Sequence, residues 1–379
     1  MWDGDDLLAW AMLGAAPGLD VATVSTALGR LGSPGAILGA SPSERIRAAI
    51  PPLAAGYLSS PAAVPGTTLR RWLESARHHI VPFRDPRFPR LLLALADCPI
   101  AIYVSGNVDV LADPQLAIVG SRNPTPQGLE TAGGFAEYLA ARGLGITSGL
   151  AEGIDSGAHR GALQAQGITI GVLGTGIDVA YPRFNQRLHR DIEGRGALVS
   201  EFPLGTPPRR GNFPRRNRLI AGLCLGTLVV EAARRSGSLI TARLANTYGR
   251  EVFAVPGSIR NPLSRGCHEL IKAGAHLVET ADDILVELNF SAFFANDLEV
   301  PAGPPAAAAA PPGMDKEHKI LLDALGFDPA DLDVLVVRTG FKAEAVSSMM
   351  LMLELEGHVQ AAPGGRYSRV AYRRTGGER

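Results

Sequence analysis

The stretch QLAIVGSRNPTPQGLETAGGFAEYLAARGLGITSGLAEGIDSGAHRGALQAQGITIGVLGTG, residues 115–176, decides the fold. Three short runs rich in branched apolar residues, LAIVG (116–120), LGITSG (144–149) and ITIGVLGTG (168–176), alternate with stretches of helical character at 128–142 and 152–166. The alternation continues through ALVSEF (197–202), TLVVE (227–231), EVFAVPG (251–257) and AHLVE (275–279), with helical stretches at 183–193, 214–223, 238–248 and 266–273. Short, near-continuous apolar strands separated by helices predict a parallel sheet covered on both faces, an α/β doubly wound domain over 115–295. In such a sheet the carboxyl ends of the strands form the edge where a ligand binds.

Several of those edges carry small residues: Gly120-Ser121-Arg122, Thr147-Ser148-Gly149, Gly174-Thr175-Gly176 and Ser236-Gly237-Ser238. Glycine lets backbone N–H groups approach an anion closely, and a helix N-terminus adds its partial positive charge, so together these turns predict a crevice that binds phosphate. A cofactor site is disfavoured. The first loop, Gly120-Ser121-Arg122-Asn123-Pro124, is not G-x-G-x-x-G, the second strand ends without an acid to hold a ribose, and no G-x-x-x-x-G-K-[ST] occurs.

Between the fourth and fifth of these strands lies GTPPRRGNFPRRNR (205–218), which reads as a proline-broken basic loop. Arg209, Arg210, Arg215, Arg216 and Arg218 fall within ten residues around a single aromatic, Phe213. Arginine forks bind phosphate bidentately and an aromatic face gives a base something to stack on, the combination a single-stranded nucleic-acid groove needs. This clustering is local: Lys+Arg and Asp+Glu balance at 37 each over 379 residues. With 46% hydrophobic and 20% charged residues the composition is that of a globular protein of two or three domains. Three scattered cysteines, Cys98, Cys224 and Cys267, offer neither a disulfide framework nor a zinc spacing, which points to a reducing cytoplasm. The N-terminus is acidic where a secretory signal is basic, and no apolar run approaches the ~20 residues of a membrane span.

The flanks read differently. Residues 1–75 carry apolar periodicity broken at Pro17-Gly18 and Gly32-Ser33-Pro34-Gly35, a small helical bundle. Pro17-Gly18-Leu19 has the form of half a helix-hairpin-helix phosphate grip, but Asp20 stands where the second glycine is expected. The proline-rich segment 76–114, with a short strand expected at Ile100–Val104, reads as a connector packed on the central domain, and the Pro/Ala tract 296–314 as a linker. Residues 315–379 show three helices and a β-hairpin, the winged-helix pattern, yet the third helix is acidic and unsuited to a duplex groove.

Catalytic signals are weak. No G-x-S-x-G elbow occurs, and no second histidine stands at metal-ligand spacing. Asp155 and His159 lie four apart on one helix face and are assigned structural roles. Glu231 ends a strand and is expected to hold the Ser236–Ser238 turn. Neither a catalytic residue nor a metal is expected.

The central region closely resembles the DprA/Smf family, the DNA-processing proteins of natural transformation. The resemblance rests on IVGSRNPTPQG, TSGLAEGIDSGAHRGAL, TIGVLGTGIDVAYPRFNQRL, VSEFPLG, FPRRNRLIAGL, VVEAARRSGSLITARLA and VFAVPG, which run from Ile118 to Gly257. It implies an extended Rossmann-like domain flanked by a small N-terminal helical (SAM/HhH-like) domain and a C-terminal winged helix. It also implies a homodimer that binds single-stranded DNA, protects it and helps load RecA recombinase. The implied DNA-binding residues are Gly120, Ser121 and Arg122; Arg210, Phe213, Arg215, Arg216, Asn217 and Arg218; and Ser236, Gly237, Ser238 and Thr241. Two other functions share these elements. A nucleotide phosphoribohydrolase would use the same crevice, although the P-G-G-x-G-T-x-x-E signature is missing; a duplex-DNA regulator would use the winged helix.

Overall fold

Strands form at 115–119, 145–148, 169–172, 197–200 and 226–229, in the places expected, and each is buried at every position, the pattern of strands covered by helices on both faces. The computed structural model describes residues 3–59, 66–290, 316–326, 329–362 and 365–369. It divides into two units, Met1–Asn123 with Ala132–Leu288, and Pro124–Thr131 with Asn289–Arg379. The first is built on a nine-stranded sheet. Its strands are β1 (His78–Pro82), β2 (Ala101–Gly106), β3 (Gln115–Val119), β4 (Gly145–Ser148), β5 (Thr169–Val172), β6 (Ala197–Ser200), β7 (Gly226–Val229), β8 (Glu251–Ala254) and β9 (His276–Leu277). Their spatial order is β1-β2-β6-β5-β4-β3-β7-β8-β9. From β6 to β9 every neighbouring pair is parallel, the doubly wound sheet that the alternation predicts.

The proline-rich segment before β3 differs from its reading as a connector. It supplies β1 and β2, which pair antiparallel with each other and extend the sheet antiparallel to β6. Both strands are short, and the one proline within them sits where it is tolerated: Pro82 closes β1, the outermost strand, where a missing N–H breaks no inner ladder. β2 is buried throughout.

The N-terminal helices, Gly4–Ala15, Val21–Leu31, Pro34–Gly39, Pro42–Arg47, Pro52–Tyr57 and Gly66–Leu73, pack into the same hydrophobic core as the sheet. Trp10 meets Phe83 edge-on, with ring centroids 5.5 Å apart. Asp20, the acid in the place of a grip glycine, caps the second helix: its carboxylate accepts the Thr23 N–H at 2.7 Å. That carboxylate is engaged in ordering a helix end.

The second unit has the winged-helix arrangement. Helices Lys316–Leu325, Leu332–Thr339 and Ala343–Leu355 bury Leu321, Leu325, Leu335, Val346, Met350 and Leu353. Beside them β10 (Ala330–Asp331), β11 (Val359–Ala362) and β12 (Arg366–Arg369) form a sheet in the order β10-β12-β11. Ile320, next to buried Leu321 on the first of these helices, is half exposed. The linker 296–314, the hairpin tip Pro363-Gly364 and the chain from residue 370 lie outside the described residues. Among the described residues no helix is long and apolar enough to cross a membrane.

One buried polar contact behind the sheet makes the fold sensitive to acid. His159, in the helix Ile154–Gln164, is fully buried with Nδ1 2.7 Å from the Thr169 hydroxyl. That hydroxyl spends its proton on the Ile146 carbonyl at 2.7 Å, so His159 Nδ1–H must be the donor of the pair. Burial, reinforced by His189 and Arg216, holds the imidazole down to about 3, against 6.5 when free. The unfolded chain therefore takes up a proton below pH 6.5 that the folded chain refuses until about pH 3, and stability falls across that window as pH drops. Thermal unfolding followed against pH should show the wild type losing stability on acidification relative to His159→Gln; parallel curves would overturn the assignment.

Candidate functional site

The order of the strands creates an opening. From β3 the chain builds outward through β4, β5 and β6, then returns to lay β7 on the other side of β3. The connections leaving β3 and β7 therefore run to opposite sides, and a crevice opens between them at the carboxyl edge. It has a volume of about 480 Å³. Its lining comes from the ends of β3 (Gly120, Arg122), β4 (Ala151, Asp155), β5 (Tyr181), β6 (Arg210, Phe213, Arg216, Asn217) and β7 (Ser236, Gly237, Ser238, Thr241).

The segment read as a basic loop is helical from Asn212 to Leu223. That changes where its arginines go. Phe213, Arg216, Asn217 and Ile220 follow the i, i+3, i+4, i+7 spacing of one helix face and all line the crevice. Arg215 and Arg218, also three apart, leave on another face and line a second cavity of about 510 Å³ with Asp20, Asp97, Cys98 and Glu201. There Arg215 Nη2 lies 3.0 Å from Glu201 Oε2, and Arg218 Nη2 pairs with the same oxygen. Arg218 also donates to the Asp97 carbonyl and sets its Nε 3.7 Å from the Asp97 carboxylate. Arg215 and Arg218 are thus corrected out of the crevice, because helical periodicity separates residues that a loop would have kept together.

Arg216 forms the floor. Only 4% exposed, it donates through Nη1 to the carbonyls of Gly149, at 2.7 Å, and Val172, which are strand-end acceptors of β4 and β5. Its Nε has no hydrogen-bond partner. Burial lowers its pKa to about 10 while Asp155 opposes the shift, so it stays cationic at neutral pH. Burial raises the Asp155 pKa, against the pull of Arg216 and of the Gly149 and Ala151 N–H groups that its carboxylate accepts. Asp155 and His159 face different partners rather than each other.

The wall is aromatic. Phe213 lies against the Gly174 backbone so closely that a Cβ on Gly174 would stand 2.8 Å from its ring. Tyr181, which the sequence reading quoted without giving it a role, places its ring 5.6 Å from Phe213 on the crevice side. The Arg122 guanidinium sits 5.9 Å from the Phe213 centroid. Arg122 and Arg210 are exposed at the rim, as is Arg209, which does not line the crevice. Opposite, Gly237 opens the ten-residue helix Ser238–Thr247, whose N-terminal amides are the positive end of its dipole. Ser236 and Ser238 hydroxyls are 2.6 Å apart, Asn217 donates to the Gly237 carbonyl at 3.4 Å, and Thr241 is buried behind them. Ser121 is not among the lining residues: its hydroxyl accepts the Asn123 N–H at 3.2 Å within its own turn. Glu231 is buried where the chain leaves β7.

The pairing on the far side of the helix has a measurable cost. Arg218 and Glu201 side chains are 10% and 3% exposed. Removing the carboxylate in Glu201→Ala leaves a buried guanidinium short of its partner and should destabilise the protein by about 3–5 kcal/mol in denaturant unfolding. A loss near zero would show that Asp97 alone satisfies Arg218.

Fold and rim together define a doubly wound α/β protein with a cationic, aromatic-walled crevice at its switch point. Residues 79–289 match the DNA recombination-mediator protein A family, and residues 304–365 the DprA winged helix domain. The chain belongs to that family, the DprA/Smf proteins. It is 46% identical over 297 residues to protein Smf of Escherichia coli, covering 78% of each chain. It is 47% identical over 206 residues to DNA processing protein DprA of Streptococcus pneumoniae, covering 54% of this chain and 73% of that one. The X-ray structure of the S. pneumoniae protein superposes with a TM-score of 0.64 at 36% identity, over 74% of this chain and 97% of the other. A structure showing the single-stranded DNA binding mode of DNA processing protein A from Helicobacter pylori superposes with a TM-score of 0.52 at 29% identity, over 57% and 97%.

Proposed function

We propose that the chain binds single-stranded DNA in the crevice without sequence preference, protects incoming strands in the cytoplasm and helps load RecA recombinase onto them during natural transformation and homologous recombination. The observation that carries the reading is that one helix face delivers Phe213, Arg216 and Asn217 into a crevice whose rim carries Arg122 and Arg210. Membership of the family and the DNA-binding mode of the H. pylori relative support it. The rim arginines neutralise successive phosphates, the amides opening the helix Ser238–Thr247 cradle another, and Arg216 supplies fixed positive charge beneath. Phe213 and Tyr181 stack on or wedge beside a base. Phosphates and π-faces recur in every sequence, so recognition is by backbone and stacking. The work is binding rather than bond-making; release of free base from a panel of nucleotides would instead support a hydrolase.

Oligo-dT titrations over a salt series test the site. Phe213→Ala should cost about 1–3 kcal/mol of affinity if a base stacks there. Arg122→Ala and Arg210→Ala should each reduce the log–log salt slope by ~0.7. Arg215→Ala, whose guanidinium is held by Glu201, should leave that slope unchanged; a loss equal to that of Arg122→Ala would place the strand along the other face of the helix.

The reading includes a homodimer, in which two crevices engage one long strand at high effective concentration. Long strands should then bind far more tightly than short ones and nucleate RecA filaments faster with the protein than without it. A monomer by light scattering, with affinity independent of strand length, would remove the paired-crevice model.

A further inference from the structure

Away from the crevice, at the opposite ends of the strands, three metal-ligating side chains meet. Glu251 opens β8, His276 opens β9, and Glu287 ends the helix Ala281–Glu287. In the parallel register His276 stands beside Phe253, and Glu251, two residues earlier on β8, shares the Phe253 face. The His276 ring packs against Phe253 with centroids 5.5 Å apart. That packing directs Nε2 to 3.0 Å from Glu251 Oε2 and 3.5 Å from Glu287 Oε1, and the three donor atoms lie within 4.8 Å of one another. The helix brings its C-terminal, negative end to the cluster with no basic residue in its last turn.

We propose that Glu251, His276 and Glu287 form a divalent-cation site of zinc type that fastens the open edge of the sheet. Two carboxylates converge on one ring nitrogen, and a protonated ring has a single N–H there to offer them. A cation in the middle serves both. The donor set selects the metal. Zinc takes histidine nitrogen and carboxylate oxygen at about 2.0–2.2 Å in tetrahedral geometry, which sets ligand atoms about 3.3–3.6 Å apart, close to the spacings to His276. Calcium wants six to eight oxygens and magnesium a largely hydrated octahedron, neither of which suits an imidazole. Three protein ligands leave the fourth zinc position to water. No motif spacing marks this cluster, because His276 follows Glu251 by 25 positions along the chain.

The site would act where the sheet is weakest. β9 is two residues long and holds to β8 through two registered pairs, with Leu277 half exposed. A bond from β8 to β9 to the following helix would tie that edge down.

The test uses the full chain stripped with EDTA and titrated with zinc chloride by calorimetry, alongside thermal unfolding and cobalt(II) absorption. One zinc per chain, a raised Tm and the visible bands of tetrahedral cobalt are expected, with magnesium and calcium giving neither. His276→Gln and Glu287→Gln should each weaken zinc binding at least about tenfold. Glu287 ends an exposed helix, so its variant keeps the test valid should His276→Gln unfold. No saturable zinc binding by the wild type, or equal binding by wild type and Glu287→Gln, would show that the cluster is an ion-pair network only. Because the cluster lies at the far end of the strands, oligo-dT affinity measured in EDTA reports on the crevice independently.

Discussion

A guanidinium taken out of water needs acceptors for its donors, and the crevice is arranged around that demand at Arg216, whose Nη1 finds two while Nε is left without one. In a parallel sheet the last carbonyl of a strand faces outward past the ladder and needs a donor of its own. Arg216 supplies that donor to β4 and β5 at once, through Gly149 and Val172. The cation is therefore fixed at the ligand edge before any ligand arrives, and little side-chain freedom is left to lose on binding. The arrangement dictates its neighbours: a Cβ at Gly149 would lie 2.5 Å from the Arg216 guanidinium, and the Phe213 ring leaves equally little room at Gly174. Gly120 is packed in the same way, since a Cβ there would stand 2.6 Å from the Ile154 side chain, so three of the strand-end glycines accommodate side chains of the protein itself, while the Ser236–Ser238 turn lines the crevice.

The helix Asn212–Leu223 sorts its charges by face. On one side Arg216 donates to backbone carbonyls and its charge pulls against the raised Asp155 pKa; on the other, Arg215 and Arg218 converge on Glu201, and Arg218 also on Asp97. The second set locks the helix against β6 and the segment before β2, and this keeps Phe213 and Asn217 aimed forward. Part of the basic cluster is scaffold for the rest.

The parallel sheet and its ligand edge were legible in the sequence because branched apolar runs of strand length are hard to confuse once they alternate with helices. The winged helix was legible for a similar reason, its three apolar stripes and hairpin being local signals. Of the antiparallel pair, β2 was legible as a short strand at Ile100–Val104, whereas β1 and the place of both in the sheet were not, since prolines at Pro82, Pro86, Pro89 and Pro99 mask strands that are held only by long-range pairing. Arg210, Phe213 and Arg216 stand out by composition and Arg122 by its strand-end turn, and all four line the crevice, whereas Arg215 and Arg218 do not, because composition ignores which way a helix turns. Tyr181 was passed over: it is one aromatic in a long loop, and only the fold brings that loop beside Phe213.

The pairing of β2 with β6 carries a consequence for how the molecule can be divided. A fragment beginning at Gln115, where the sequence sets the domain boundary, would strip β6 of β2 and leave a row of unpaired N–H and C=O groups along a buried apolar strand, an invitation to edge-to-edge aggregation. Beginning at His78 restores the ladder but removes Trp10 from Phe83 and opens the shared core. The front of the chain is in this sense a lid on the sheet's outer margin, and trimming it exposes adhesive surface rather than liberating a smaller stable module.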